Sequence, residues 1–101
     1  MVNAYFDWKD WVVYAPDGPK PQAMLETEKA KVVVAGLEAG QRVPEHPESM
    51  GVYYFVEGEG VMVVDGERYE VSPGSIVIAS QGAVRGVEAL TRLVFVATRV
   101  K

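Results

Sequence analysis

Cysteine is absent from the 101 residues, and histidine occurs once, at position 46. The lack of cysteine excludes disulfides, iron–sulfur clusters and thiolate zinc sites. Positive charge is scarce as well. Ten Lys and Arg stand against fourteen Asp and Glu, a formal net charge of −4. A surface that holds a nucleic-acid backbone needs clustered basic residues, so no nucleic-acid partner is expected. No apolar run approaches the roughly 18–20 residues of a membrane span. The opening stretch MVNAYFDWKDW lacks a basic start followed by an apolar segment, so it does not read as a signal peptide. These absences point to one cytoplasmic domain with no membrane partner, since domains run from about 50 to 250 residues.

What the chain does contain is a succession of short β-branched and aromatic runs divided by turn residues. Trp11–Tyr14 reads as a strand that ends at the Pro- and Gly-rich loop APDGPKP. Gln22–Thr27 and Lys31–Leu37 follow, the second closed by Glu38-Ala39-Gly40. Val52–Val56 and Val61–Val64 flank the turn EGEG at 57–60. Asp65-Gly66 is the strongest hairpin signal in the chain, and Glu67–Val71 alternates polar and apolar as a half-buried strand does. Ile76–Ala79 and Leu93–Val100 complete the set. A helical reading of Met24–Ala35 is opposed by the β-branched run Val32–Val34. Short strands with a turn every 8–12 residues or so indicate an all-β sandwich or barrel.

The spacing of glycine and polar residues after Gly40 is more specific. Gly40 is followed by five residues and then His46, one residue and then Glu48, with Gly51 and Gly58 beyond. Gly74 is followed by five residues and Ser80, then Gly82 and Arg85. This two-part pattern resembles that of the cupin superfamily, small double-stranded β-helix (jelly-roll) barrels, and it extends from Lys31 to the C-terminus. The resemblance implies a single domain over 1–101, with N-terminal strands and a loop over 1–30 and the barrel motifs over 31–101. Metal-binding cupins take two histidines and a glutamate from the first motif and a third histidine from the second. Here His46 stands at the first position, Glu48 at the second, Gly51 at that of the glutamate, and Arg85 at the last. A guanidinium is always protonated and has no lone pair to give a metal. The resemblance therefore implies a dismantled metal site and no metal cofactor.

If the family architecture holds, His46, Glu48 and Arg85 converge in the barrel mouth, and strand alternation from Gly51 turns Tyr53 and Phe55 inward. Three readings follow. In one, Arg85 and Glu48 form an ion pair where the metal would sit, with His46 hydrogen-bonded to it. In another, the planar fork of Arg85 binds an anionic small molecule between aromatic walls, with His46, Glu48, Tyr53 and Phe55 as the other ligand-binding residues. The alternative is an enzyme, either a metal-dependent isomerase or dioxygenase using His46 and Glu48 or a metal-free one with His46 as general base. Nucleophilic catalysis has no support, because the serines at 49, 72, 75 and 80 lie in turns without a matched His–Asp arrangement. Small cupins commonly pair as dimers through N-terminal strands and an outer sheet face. The resemblance, with the doubly apolar strand LVFVATRV, therefore implies a homodimer.

Overall fold

The computed structural model describes residues 4–101; the first three letters of the opening stretch read for a leader lie outside the described residues. Nine strands follow one short helical turn. They are α1 (Trp8–Trp11), β1 (Gln22–Glu26), β2 (Ala30–Leu37), β3 (Arg42–Pro47), β4 (Gly51–Glu57), β5 (Gly60–Val64), β6 (Glu67–Val71), β7 (Ile76–Ala79), β8 (Val84–Ala89) and β9 (Leu93–Val100). Two antiparallel sheets result, one in the order β1-β2-β9-β4-β7 and the other β3-β8-β5-β6. This is the all-β double-stranded β-helix that the sequence implies.

Register explains which residues face inward. Partners directly opposite in an antiparallel ladder share a face. Across the five-stranded sheet Val33, Ala97, Tyr53 and Val77 form one inner rung, and Lys31, Arg99, Gly51 and Ala79 form the next toward the open end. The four-stranded sheet answers with Val43, Val87, Met62 and Tyr69 in one rung and His46, Arg85 and Val64 in another. Between the sheets lies a core of Leu37, Phe55, Met62, Leu93 and Phe95, with Tyr53 at its edge. The Phe55 and Phe95 rings sit 5.4 Å apart and Tyr53 and Phe95 5.8 Å apart, both tilted. Full burial of a side chain such as Phe55 contributes roughly 1.5–3 kcal/mol.

Three elements differ from the sequence expectation. Residues 12–14 are not a strand. Asp7 caps a helical turn by accepting from the Lys9 amide, and the chain then runs across the outside of β2. Val12 and Tyr14 pack so closely on Gly36 that a Cβ there would lie 2.6 Å from Val12 Cγ2. The Arg92 guanidinium covers the Tyr14 ring at 4.1 Å and bonds Glu38 through two nitrogens, which pins this segment down. The other two differences are strands without a clear sequence mark. β3 carries Pro44 and Pro47, tolerable because it is the edge of its sheet. β8 is interrupted in composition by Arg85, Gly86 and Glu88.

The hairpin at Asp65-Gly66 forms as expected, with φ of 48° and 84° at the two turn residues. That is the pairing of positive values a two-residue turn between twisted strands requires. Gly58 also has positive φ, 82°, but its surroundings differ. A Cβ at Gly58 would fall 1.8 Å from the Arg92 carbonyl oxygen, whereas nothing lies within 4 Å of one at Gly66. Gly66→Ala should therefore cost only the left-handed backbone penalty, about 1–2 kcal/mol. Gly58→Ala should cost clearly more, because backbone must also move. Urea denaturation of the two variants checks this ordering, and equal losses would refute it.

Candidate functional site

The open end of the barrel holds a cavity of about 380 Å³ between the two sheets. Its floor is apolar: Val33 and Ala35 from β2, Val43 from β3, Tyr53 from β4, and Phe95 and Ala97 from β9. Its rim is polar, with His46 and Glu48 arriving from β3 and the residue just beyond it, and with Lys31 and Arg99 from the end rung of the larger sheet. The cavity therefore joins an apolar interior to a charged opening, the usual construction of a small-ligand site.

His46 and Glu48 meet as the sequence predicts. His46 Nε2 lies 3.4 Å from Glu48 Oε2, and Nδ1 is 2.8 Å from the Pro44 carbonyl oxygen. A carbonyl only accepts, so Nδ1 is the ring nitrogen that donates here and Nε2 is the one that faces Glu48. The principal partner of Glu48 is one the sequence reading did not name. Arg99 Nη1 approaches Glu48 Oε2 to 2.7 Å. Burial pushes the Glu48 carboxyl up, but Arg99, the Ser49 amide and His46 together outweigh it and hold the carboxyl below its ordinary range. A signal for Arg99 existed in the sequence. Alternation from Phe95 through Ala97 turns residue 99 inward, and alternation from Val33 does the same for Lys31.

Arg85 sits elsewhere than expected. It is turned inward but 1% exposed, and it does not line the cavity. Its guanidinium pairs with no carboxylate among the described residues. Nε donates to the Ala83 carbonyl at 2.9 Å, Nη1 to Ser49 at 2.6 Å, and Nη2 to Glu48 at 3.1 Å and Ser80 at 2.8 Å. The expected ion pair with the Glu48 side chain is thus replaced by a bond to the Glu48 main chain. The planar fork bridges two turns at once, the one after β3 (Glu48 and Ser49) and the one between β7 and β8 (Ser80 and Ala83). Gly51 makes room for it, since a Cβ there would meet Arg85 Nη1 at 3.2 Å and the Tyr53 ring at 2.9 Å. Phe55 likewise faces inward as expected, but it is fully buried in the core and reaches no cavity wall.

The donor set does not fit the divalent ion of metal-binding cupins. His46 and Glu48 supply two donors, one of them already held by Arg99. The remaining positions hold Gly51, without a side chain, and Arg85, without a lone pair. Among the described residues no three His, Asp or Glu side chains gather as a metal site would require. What the rim can do is accept a hydroxyl or amine at Glu48, hydrogen-bond through Nε2 of His46 and bind an anion at Arg99 and Lys31.

The buried fork of Arg85 is the feature whose removal should be felt most. Arg85→Met keeps much of the volume but removes four charge-assisted hydrogen bonds, for an expected loss of at least about 3 kcal/mol. At roughly 4–8 °C per kcal/mol for a domain of this size, Tm should fall by more than about 12 °C. Arg85→Lys should recover only part, because one ammonium cannot reach four carbonyls of two turns in a plane. A calorimetric scan showing Arg85→Met within a few degrees of the parent would refute the clamp.

Comparison with known proteins agrees with this architecture. The Cupin domain family (Cupin_2) matches residues 32–98. A search of curated proteins found no match. Among solved structures the chain is similar to a protein from Thermus thermophilus, with 28% identity, a TM-score of 0.86, and coverage of 95% of this chain and 96% of that one. It is also similar to a conserved protein with a double-stranded β-helix domain from Klebsiella pneumoniae, at 24% identity and TM-score 0.89, covering 97% and 90%. An RmlC-like cupin from Desulfovibrio desulfuricans follows at 26% identity and TM-score 0.79, covering 85% of each. With the motif region, the strand order and the inward rungs all in agreement, the chain belongs to the cupin family.

Proposed function

We propose that this cupin binds a small organic molecule, anionic at one end, in its barrel cavity without a metal ion. The observation that carries the reading is the cavity itself. A cavity of about 380 Å³ combines an apolar floor with His46, Glu48, Arg99 and Lys31, a volume suited to one small metabolite. Tyr53 contributes an aromatic wall. Arg85 belongs to the reading as the group that holds the Glu48 turn in place, and Phe55 as core behind the wall. The metal-dependent alternative draws no support from the donor set described above.

A second copy of the chain completes this proposal. The outer face of β4, β7 and β9 presents Tyr54, Ile76 and Ile78, each 46% exposed or more, beside Val52 and Val96. Among the described residues, Val12 and Tyr14 of the N-terminal segment lie on this face at Gly36 of β2. Contiguous apolar surface of that kind marks an association site. Sedimentation velocity at micromolar concentration should give a dimer, and Ile78→Glu should give a monomer with its cavity intact. A parent protein that sediments as a monomer would remove the dimer from the proposal.

Thermal denaturation tests the cavity reading. A chelator such as EDTA should leave Tm unchanged, because no ion contributes to folding. A library of small organic acids, hydroxy acids and their neutral analogues should contain compounds that raise Tm. At a hundredfold excess over Kd, ligand linkage adds about 2.7 kcal/mol, or roughly 10 °C for a domain of this size. Loss of stability in chelator would overturn the metal-free reading. A library with no hit would overturn the binding reading.

A further inference from the structure

Lys31 and Arg99 are direct partners across the β2–β9 ladder, and both line the cavity. Two like charges placed directly opposite on one face repel and destabilise the pair. Only part of that repulsion is answered. Glu48 answers Arg99 at 2.7 Å, and no ion pair is found for Lys31 among the described residues. Glu26, the β1 partner of Lys31, is hydrogen-bonded to Lys101 at 2.9 Å. No hydrogen bond occupies the other N–H groups of Arg99 among the described residues, so its fork has an open edge. Arg99 and Glu48 are both partly exposed, at 26% and 30% of their side-chain surface, so a solute in the cavity can reach them. The rim therefore has more cation than carboxylate, above a floor that is apolar.

We propose, building on the cavity-binding reading, that the site selects carboxylic acids whose carboxylate docks between Lys31 and Arg99 by displacing Glu48. The Glu48 carboxylate is the stand-in for the ligand's own head group. It already shows that a carboxylate fits the Arg99 nitrogen at charge-assisted distance. A ligand carboxylate there would bond both edges of the fork and neutralise Lys31 as well, which Glu48 alone does not do. The apolar part of the ligand lies on Val33, Ala35, Phe95 and Ala97. No bond is made or broken in this step; one carboxylate exchanges for another. Arg99 and Lys31 thus set specificity, and Glu48 sets affinity by competition. Its main chain is held by Arg85, so displacement is a rotation of the Glu48 side chain with the turn staying in place.

The test compares acids with their own amides, which share a shape and lack the charge. Butyrate, benzoate, phenylacetate and 3-phenylpropionate, each beside its primary amide, are titrated into the full chain by isothermal calorimetry and followed by protein NMR. At least one acid should bind tenfold or more tightly than its amide, with shifts at residues 31, 46 and 99. Glu48→Gln should strengthen that acid several-fold by removing the competitor, and Arg99→Gln should weaken it at least tenfold and narrow its advantage over the amide. Arg99→Lys, which keeps a charge at the position, should restore part of the binding and controls for misfolding. Amides that bind as tightly as their acids would overturn the carboxylate proposal and leave the cavity reading standing. If neither acids nor amides bind, both fall. An acid weakened by Glu48→Gln would overturn the displacement, since Glu48 would then be a direct contact.

Discussion

The buried guanidinium of Arg85 is the constraint on which the open end of this barrel depends. A charge removed from water is costly unless it is well solvated by the protein. Here the solvation comes from four main-chain carbonyls of two separate turns. Carbonyl dipoles fixed in a plane do for the guanidinium what ligand side chains do for a metal ion in other cupins. They gather the turn after β3 and the turn after β7 around one cation. The cation is covalently part of the chain, so the arrangement needs nothing from solution. The empty side-chain position at Gly51 is part of the same solution, because a glutamate there would compete for the space of the fork.

With Arg85 satisfied by backbone, the carboxylate of Glu48 is released from the role that the motif would suggest for it. It turns to Arg99, on the opposite sheet, and to His46 on its own. The pair closes part of the mouth at the level of the end rung. Partly exposed ion pairs contribute little to stability, on the order of 0–1 kcal/mol, so its value lies in placing charge over an apolar floor. The fold and the site are separable in this respect. The barrel fold is shared with structures of modest sequence identity, and one barrel serves many chemistries. The Lys31–Arg99–Glu48 rim depends on particular side chains of this chain.

Much of the fold was legible from local pattern. Alternation and β-branching marked β2, β4, β5, β6, β7 and β9, and the glycine spacing marked the turns between them. β3 was not legible, because an edge strand can carry prolines and polar residues that would disqualify a central one. The segment 12–14 has strand composition, yet its apolar side chains are satisfied by lying on Gly36 from outside the sheet. Composition records that a residue will be buried and not which surface buries it. The shared side of His46 and Glu48 and the inward direction of Tyr53 and Phe55 were legible for the same reason as the strands, since a period of two assigns a side, whereas the inward Arg85 came from the family resemblance.

The sequence by itself therefore determined the all-β barrel, the loss of the metal ligand set, and the placement of one histidine and one carboxylate at its mouth. Only the tertiary structure decided what those groups touch. The partners of Arg85 are backbone carbonyls, which every residue possesses and no letter of the sequence distinguishes. The pairing of Arg99 with Glu48, and of Lys31 beside Arg99, rests on the register between strands distant in the chain. A shift of one residue would turn either side chain to the other face. Local chemistry sets which groups are available, and the closure of two sheets on one another sets which of them meet.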